Sequence, residues 1–578
     1  MSSLASFGLQ SEVMKLGSSG RGLVAIATLA VLALSGVATS EDPQPTFTSR
    51  SELVLVPAVV TDKSGTHLSG LTKEDFVVLE DGKPQTISVF EEIKANSGAI
   101  QRVPNTTGQF GNLLESQGRS PRLLIVALDM INTPSLLQAN AKNEVLKFLS
   151  KSIDPANPTE FVLITRGGLH VIHDFNGDPR VLAAALQRLA GTRNDLAEKE
   201  APSPVPPSTD ALSGVLARFA QEENESKLQV QTFERRSAIL TTMQALQQIA
   251  GEVAGVPGRK ALIWVSAGFP ASVTKLSDSL SEPASALVDG SAVSDLYRHT
   301  WQLLNQAQLA VYPVDVRYLN YPAFQGADEP GVYFSAPHNP RDNPYTMVME
   351  HRNWENDETL STFRTFAENT GGRAYYNSND LQRGMREASE DSASYYMLGY
   401  QLNRQGKKLG WHKLKVEVSR RGIEVRARNT FLLTNPKGSS AEDRRATVRS
   451  ALQSPVDFTA ITIQGSWTGV SAGEAKNKKV AFELLMPSGF ADIDSAQNNH
   501  MHVEFLVKAA SDGKGDPSIS TRTVDVHLDP KGLEQVQQHG LTFRSSLNLP
   551  AGTYNVRFVV LDALSGRVGS TSASLKVD

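Results

Sequence analysis

The sequence predicts a multidomain protein, α/β plus all-β: a central doubly wound, mostly parallel sheet flanked by an N-terminal β domain and a C-terminal β-sandwich. Three observations predict it. Between residues 121 and 390, short apolar runs such as Leu123–Leu128 and Ala261–Ser266 alternate with amphipathic helical segments, as strands buried on both faces require. On either side of that region the period falls to two, with turn residues between short strands. The length, 578 residues, calls for several folding units rather than one.

Composition narrows the function. The chain has 57 Lys+Arg against 61 Asp+Glu, a net charge of −4, and such a surface does not suit a nucleic-acid binder that works by displacing counterions. It has no cysteine, which removes disulfides, thiolate zinc sites, iron–sulfur clusters and cysteine nucleophiles together. Lys15 and Arg21 precede the apolar run Leu23–Leu34, and small residues follow to Ser40. That order describes a secretory signal over 1–40, cleaved near Ser40, with a retained anchor as the alternative. No other stretch approaches membrane-spanning length, so the expected mature protein has no membrane span and lies in the periplasm, in the cell envelope or outside the cell.

The elements follow in order. Residues 41–120 read as a small β domain and a linker. Leu53–Val60 is a strand that Pro57 marks as an edge or a bulge, and Asp81-Gly82 turns a hairpin after Phe76–Leu79. Residues 94–120, rich in Asn, Gly, Ser and Gln, read as the linker. In 121–390, apolar strands are expected at 123–128, 161–165, 169–175, 261–266, 309–316 and 373–377. Helices are expected around 137–149, 181–189, 237–253, 296–307 and 359–369. Two segments, 196–230 and 319–357, are long for connections in a compact domain. Residues 391–434 read as a three-stranded β extension and 435–445 as a linker. Residues 446–578 carry the alternation of a β-sandwich with almost no helix, clearest in Thr553–Leu561.

Ligands of open α/β sheets sit beyond the carboxyl ends of the strands, so strand ends are the first place to look. The first apolar strand ends in Asp129-Met130-Ile131-Asn132-Thr133 and the one at 261–266 ends in Ser266-Ala267-Gly268. Among the histidines, His170 and His173 fall on opposite faces of a strand. His500 and His502 share a face, without a third ligand nearby in the sequence. No nucleophile elbow, phosphate-binding loop or His-Glu-x-x-His is present, so the sequence offers no catalytic residue.

Residues 50–434 resemble the von Willebrand factor type A domain, and most closely the VWFA-related domain family of Acidobacteria. The resemblance rests on the Asp129-x-x-Asn132-Thr133 turn, Gly258-Arg259-Lys260 and Thr370-Gly371-Gly372-Arg373, with the Leu549–Tyr554 run also familiar. It implies partner binding through the strand-end face. Metal-binding members of that domain class place Asp-x-Ser-x-Ser after the first strand, a Thr in the next loop and an Asp after the fourth. Asp129 and Thr133 match, Ile131 and Ala267 offer no oxygen, and Thr241 or Thr242 stands for the loop Thr. The expected site is therefore degenerate and metal-free, with no cofactor. Were Mg²⁺ bound, Asp129 and Thr133 would hold it, helped by Asn132 and water. Asp129 and Thr133 also read as caps for the first helix, with Pro134 at its first position.

The expected function is extracytoplasmic protein–protein interaction, in adhesion, scaffolding or envelope assembly. A crest of Asp129, Asn132, Thr133, Thr242 and Ser266 is expected to hydrogen-bond a protein partner. The rival readings are a divalent-metal-dependent adhesin and an envelope hydrolase.

Overall fold

Residues 52–94 and 394–433, remote in the chain, build one pair of facing sheets. The computed structural model describes residues 52–94, 100–103, 108–116, 122–152, 159–175, 233–234, 236–269, 290–317, 359–403, 407–433, 441–473, 477–511 and 517–578. The leader at 1–40, the helix at 181–189 and the segments 196–230 and 319–357 lie outside the described residues. In the first sheet of the pair, Glu52–Asp62 lies between Ile423–Arg426 and Ser394–Leu402, and Ile87–Lys94 is at the edge. Pro57 falls in the half of its strand that pairs with Ser394–Leu402 alone, so its missing N–H costs no ladder bond. The second sheet runs Thr430–Leu433, Gly410–Val418, Phe76–Glu80, Lys83–Gln85. Asp81 and Gly82 close its hairpin at φ 49° and 78°, the left-handed geometry a two-residue turn needs. Val56, Ala58, Phe76, Val78, Leu398 and Leu414 fill the space between the two sheets.

A second pair of sheets forms from the C-terminal residues, with one strand from far upstream. Gln109–Gly111, in the stretch read as a linker, pairs with Gln464–Ala472. Phe110 stacks on Phe558 at 4.6 Å, and Asn112 donates to the Phe458 and Ile461 carbonyls at 2.6 and 2.8 Å while accepting from the Ile463 amide at 2.7 Å. The C-terminal region also holds more helix than expected. Ala441–Gln453 begins inside the stretch read as a linker and covers the outer face over Val559 and Leu561. Pro530–His539 starts on an Asp529 cap that accepts from the Gly532 amide at 2.7 Å, with Pro530 in the first turn and Gly540 closing the end.

Between these units lies a five-stranded sheet in the order Gly168–His173, Thr159–Thr165, Leu123–Asp129, Lys260–Ser266, Leu309–Asp315. Its strands are apolar on both sides because both faces are covered. Helices 236–253, Gly290–Gln306 and 359–370 meet one face, and helices Ser135–Ser152 and Leu381–Asp391 meet the other.

The expected fold class is nonetheless overturned. The chain is not an α/β protein organised on a central doubly wound parallel sheet; it is mostly β. Of the six sheets among the described residues, five are antiparallel throughout, and parallel ladders occur only at three strand junctions of the sixth. The physical reason is long-range pairing. Local periodicity shows that a segment is a strand, but not that 52–94 pairs with 394–433, or 109–111 with 464–472.

One buried ionic junction ties the units together. Asp391, at the end of its helix, accepts from both Arg426 Nη2 (2.6 Å) and Arg426 Nε (3.1 Å), and from Tyr312 Oη at 3.1 Å. Tyr312 in turn accepts from Arg259 at 2.9 Å, and His67 lies 3.4 Å from the carboxylate. Burial pushes the Asp391 carboxyl up, but His67, Arg426 and Arg259 outweigh it and hold the group below the usual carboxylate range. Asp391→Asn keeps the shape and strands Arg426, so it should cost about 3–5 kcal/mol at neutral pH, read from denaturant unfolding. The native carboxylate binds its proton less readily than the unfolded one, so its contribution is present above about pH 4 and is lost as pH falls further. The gap between wild type and Asp391→Asn should therefore narrow in acid.

Candidate functional site

The five expected crest residues do come together. Asp129 ends its strand with its side chain turned inward over Trp264, in the middle of the neighbouring strand. Its Oδ1 accepts from the Asn132 amide at 3.1 Å, and its Oδ2 accepts from Asn132 Nδ2 at 2.7 Å and Trp264 Nε1 at 3.0 Å. Ser266 Oγ lies 3.2 Å from the same Oδ2 and 2.8 Å from the Gly268 carbonyl. Asn132 Nδ2 also donates to Thr242 Oγ1 at 2.8 Å, and Thr133 Oγ1 donates to the Asp129 carbonyl at 2.5 Å while facing the Ala267 amide at 3.3 Å. Of the two threonines left open by the sequence, Thr242 is the buried one that joins the network; Thr241 is half-buried.

Their arrangement differs from an exposed crest. Asp129, Thr133, Thr242 and Ser266 are all buried, and Asn132 is half-buried. Four of the five side chains are thus withdrawn from the surface, and Asn132 alone is partly exposed. The helix begins at Ser135, and the side chains of Asp129 and Thr133 are engaged before it, not on its first amides. Pro134 O accepts from the Leu137 and Gln138 amides, and Gln138 Nε2 reaches back to the Thr133 and Met130 carbonyls at 2.9 and 3.1 Å. Asp129 instead folds the turn before the helix. Trp264 is the member that sequence reading missed; its signal was an indole N–H in an otherwise apolar buried strand, which needs an acceptor.

Burial dominates the electrostatics of Asp129. Loss of water pushes its carboxyl up to about 6, against the pull of the Asn132, Trp264 and Ser266 donors. At the next strand end, Asp315 is held by its own neighbour, Arg317, whose Nη2 and Nε donate at 2.8 and 2.9 Å. Of the metal ligands implied by the resemblance, Asp129 and Thr133 are within this network, whereas Ile131 packs against the core and Ala267 is buried and has no side-chain oxygen. The described loops at this end, 130–134 and 267–269, carry Met130 and Ile131 half-buried, and just beyond them Leu136 is 72% exposed.

No family model and no curated protein matches this chain. Among the described residues, no helix is long and apolar enough to cross a membrane.

The histidine pairs also find their places. His170 is exposed and His173 buried, with a register shift between Val171 and His173. Among the described residues, two mixed clusters are close enough to share a cation: Glu80, Asp81 and His412, and His500, His502 and Asp525. In the first, Lys407 already pairs with Glu80, and both ring nitrogens of His412 are engaged, by Asp81 Oδ2 at 2.7 Å and the Lys408 carbonyl at 2.8 Å.

The Asp129 network gives a testable pH signature. A native carboxyl raised to about 6 holds its proton more tightly than the unfolded one near 3.8, so this group penalises the fold above pH 6 and the penalty fades towards pH 4. The difference corresponds to about 3 kcal/mol at full ionisation. Thermal unfolding of wild type against Asp129→Asn should show the wild type gaining relative stability from pH 7.5 to pH 5. Asp129→Ala, which strands Trp264 Nε1 and the Asn132 amide, should lose about 1–3 kcal/mol at pH 5.

Proposed function

We propose that this chain acts outside the cytoplasm by binding another protein, in adhesion, scaffolding or envelope assembly, through the loops at the strand ends around Asp129. The observation that carries this reading is Leu136, 72% exposed a few residues after a turn, with Met130 and Ile131 half-buried in it, that a network of mutually bonded buried side chains holds in place. A rigid floor under an apolar rim is inexpensive to desolvate, because its polar groups have already exchanged water for one another. The Asp-x-x-Asn-Thr turn that suggested the type A resemblance serves here as the foundation of the face. The contact itself is apolar.

The same network favours binding over the two rival readings. A hard cation needs several free oxygens, and both oxygens of Asp129 already accept from protein donors. The contact between Ser266 and Asp129 has the carboxylate directly at the hydroxyl and no imidazole between them, unlike a hydrolase triad.

A photo-crosslinking residue placed at Leu136 in cells producing the full chain should give a discrete protein adduct, whereas the same residue at Lys531, on a remote exposed helix, should not. Leu136→Glu should then weaken co-purification of that partner by roughly tenfold, about 1.4 kcal/mol. Adducts of equal yield at both positions, or none at 136, would remove this face as the binding surface.

A further inference from the structure

The second cation-sized cluster lies on the outer face of the C-terminal sheet, where strand pairing has supplied what the sequence withheld. His500–Ser511 alternates strictly. Met501, Val503, Phe505, Val507 and Ala509 point into the core, so His500, His502 and Glu504 point out. The neighbouring strand Ser518–His527 pairs antiparallel in a register that sets His502 opposite Asp525 and His500 opposite His527. Directly opposed residues share a face, so two imidazoles and a carboxylate converge.

The distances suit a shared ion. His500 Nε2 lies 2.6 Å from Asp525 Oδ1, and His502 Nδ1 lies 3.7 Å from Asp525 Oδ2. One donor atom from each of the three residues falls within 4.8 Å of the others. Around zinc, ligand atoms about 2.0–2.1 Å from the metal stand roughly 3.3 Å apart in a tetrahedron. The observed separations bracket that value, and the Asp525 side chain, 54% exposed, is free to swing by the fraction of an ångström required. Two ring nitrogens, His500 Nδ1 and His502 Nε2, are out of reach of water and make no hydrogen bond among the described residues; Glu504 Oε1 lies 3.5 Å from the latter. His527 stacks on His500 with ring centroids 5.0 Å apart, which restrains the imidazole. In the Glu80 cluster, by contrast, a lysine already occupies the cation's place and the imidazole is fully bonded.

We propose that His500, His502 and Asp525 form a surface site for a divalent first-row transition ion of the zinc class. Imidazole and carboxylate ligands suit such ions, and three protein ligands leave one position open to water or to an outside group. The ion would also clamp the exposed edge strand Ser518–His527 to its neighbour.

The test is titration of the full chain, stripped with chelator, with Zn²⁺ at pH 7.5, followed by isothermal calorimetry. His502→Ala, Asp525→Asn and His412→Ala are titrated beside it. The expected result is one ion per chain, bound roughly tenfold or more weakly by His502→Ala and by Asp525→Asn, and unchanged by His412→Ala. His502→Ala and Asp525→Asn should melt with the wild type in chelator, because both side chains lie on the outer face of their sheet; His412→Ala, which removes a buried ring stacked on Phe431, should melt lower yet keep the ion. Zn²⁺ binding that His502→Ala and Asp525→Asn leave intact would overturn the proposal, as would loss of binding in His412→Ala alone or the absence of binding by the wild type.

Discussion

The Asp391–Arg426 pair is the constraint on which the arrangement of units depends. Arg426 belongs to an antiparallel sheet, Asp391 to a helix on the five-stranded sheet, and Tyr312 to that sheet's edge strand. A charge this deep is tolerated only where its partner and further donors are in place at once. The junction therefore acts as a register mark: the helix Leu381–Asp391 can end in only one position relative to the strand Ile423–Arg426. Arg259 extends the same network, donating to Tyr312 and to the Gly371 carbonyl. Close backbone approach adds a second constraint. Gly372 lies against the Val311 carbonyl and Gly255 against the Thr459 carbonyl, where a Cβ would collide with the main chain. These glycines let the five-stranded sheet meet its neighbours without a side chain between them.

Asp129 illustrates how the same kind of residue can be structural in one setting and chemical in another. An acid at the end of a buried strand is a recognised place for ligand chemistry, because helix N-termini and loops converge there. Here the carboxylate faces an indole and an amide of its own chain, and the turn it organises leads into the exposed Pro134 and Leu136. Function, on this reading, belongs to what the network supports. The outer face of the C-terminal sheet is the converse case: it carries polar side chains away from the core, and two imidazole nitrogens there make no hydrogen bond among the described residues.

Local pattern points to the wrong fold class for an identifiable reason. Alternating strands and helices over 121–390 carry a strong local signal, whereas the antiparallel strands on either side are short and individually weak. The strength of a local signal does not measure a segment's rank in the architecture. Strand Glu52–Asp62 finds its partners more than three hundred residues away in the chain, and the three residues Gln109–Gly111 would not be read as a strand in isolation. Helix Pro530–His539 is different, since Asp529, Pro530 and Gly540 spell its two ends and were legible; the surrounding β alternation masked them.

The sequence by itself determined the five strands of the central sheet, the Asp81-Gly82 hairpin, the helix after Pro134, and the grouping of Asp129, Asn132, Thr133, Thr242 and Ser266 near one another; the sixth strand expected there, at 373–377, forms only a single bridge at Tyr375. These depend on side-chain period, turn chemistry and strand-end position, all of which are local. Tertiary structure alone decided that those five residues face inward, that Trp264 completes them, that distant β segments pair, and that Asp525 joins His500 and His502. Burial and cross-strand register are properties of the neighbour as much as of the residue, and no stretch of sequence contains its own neighbour across a sheet.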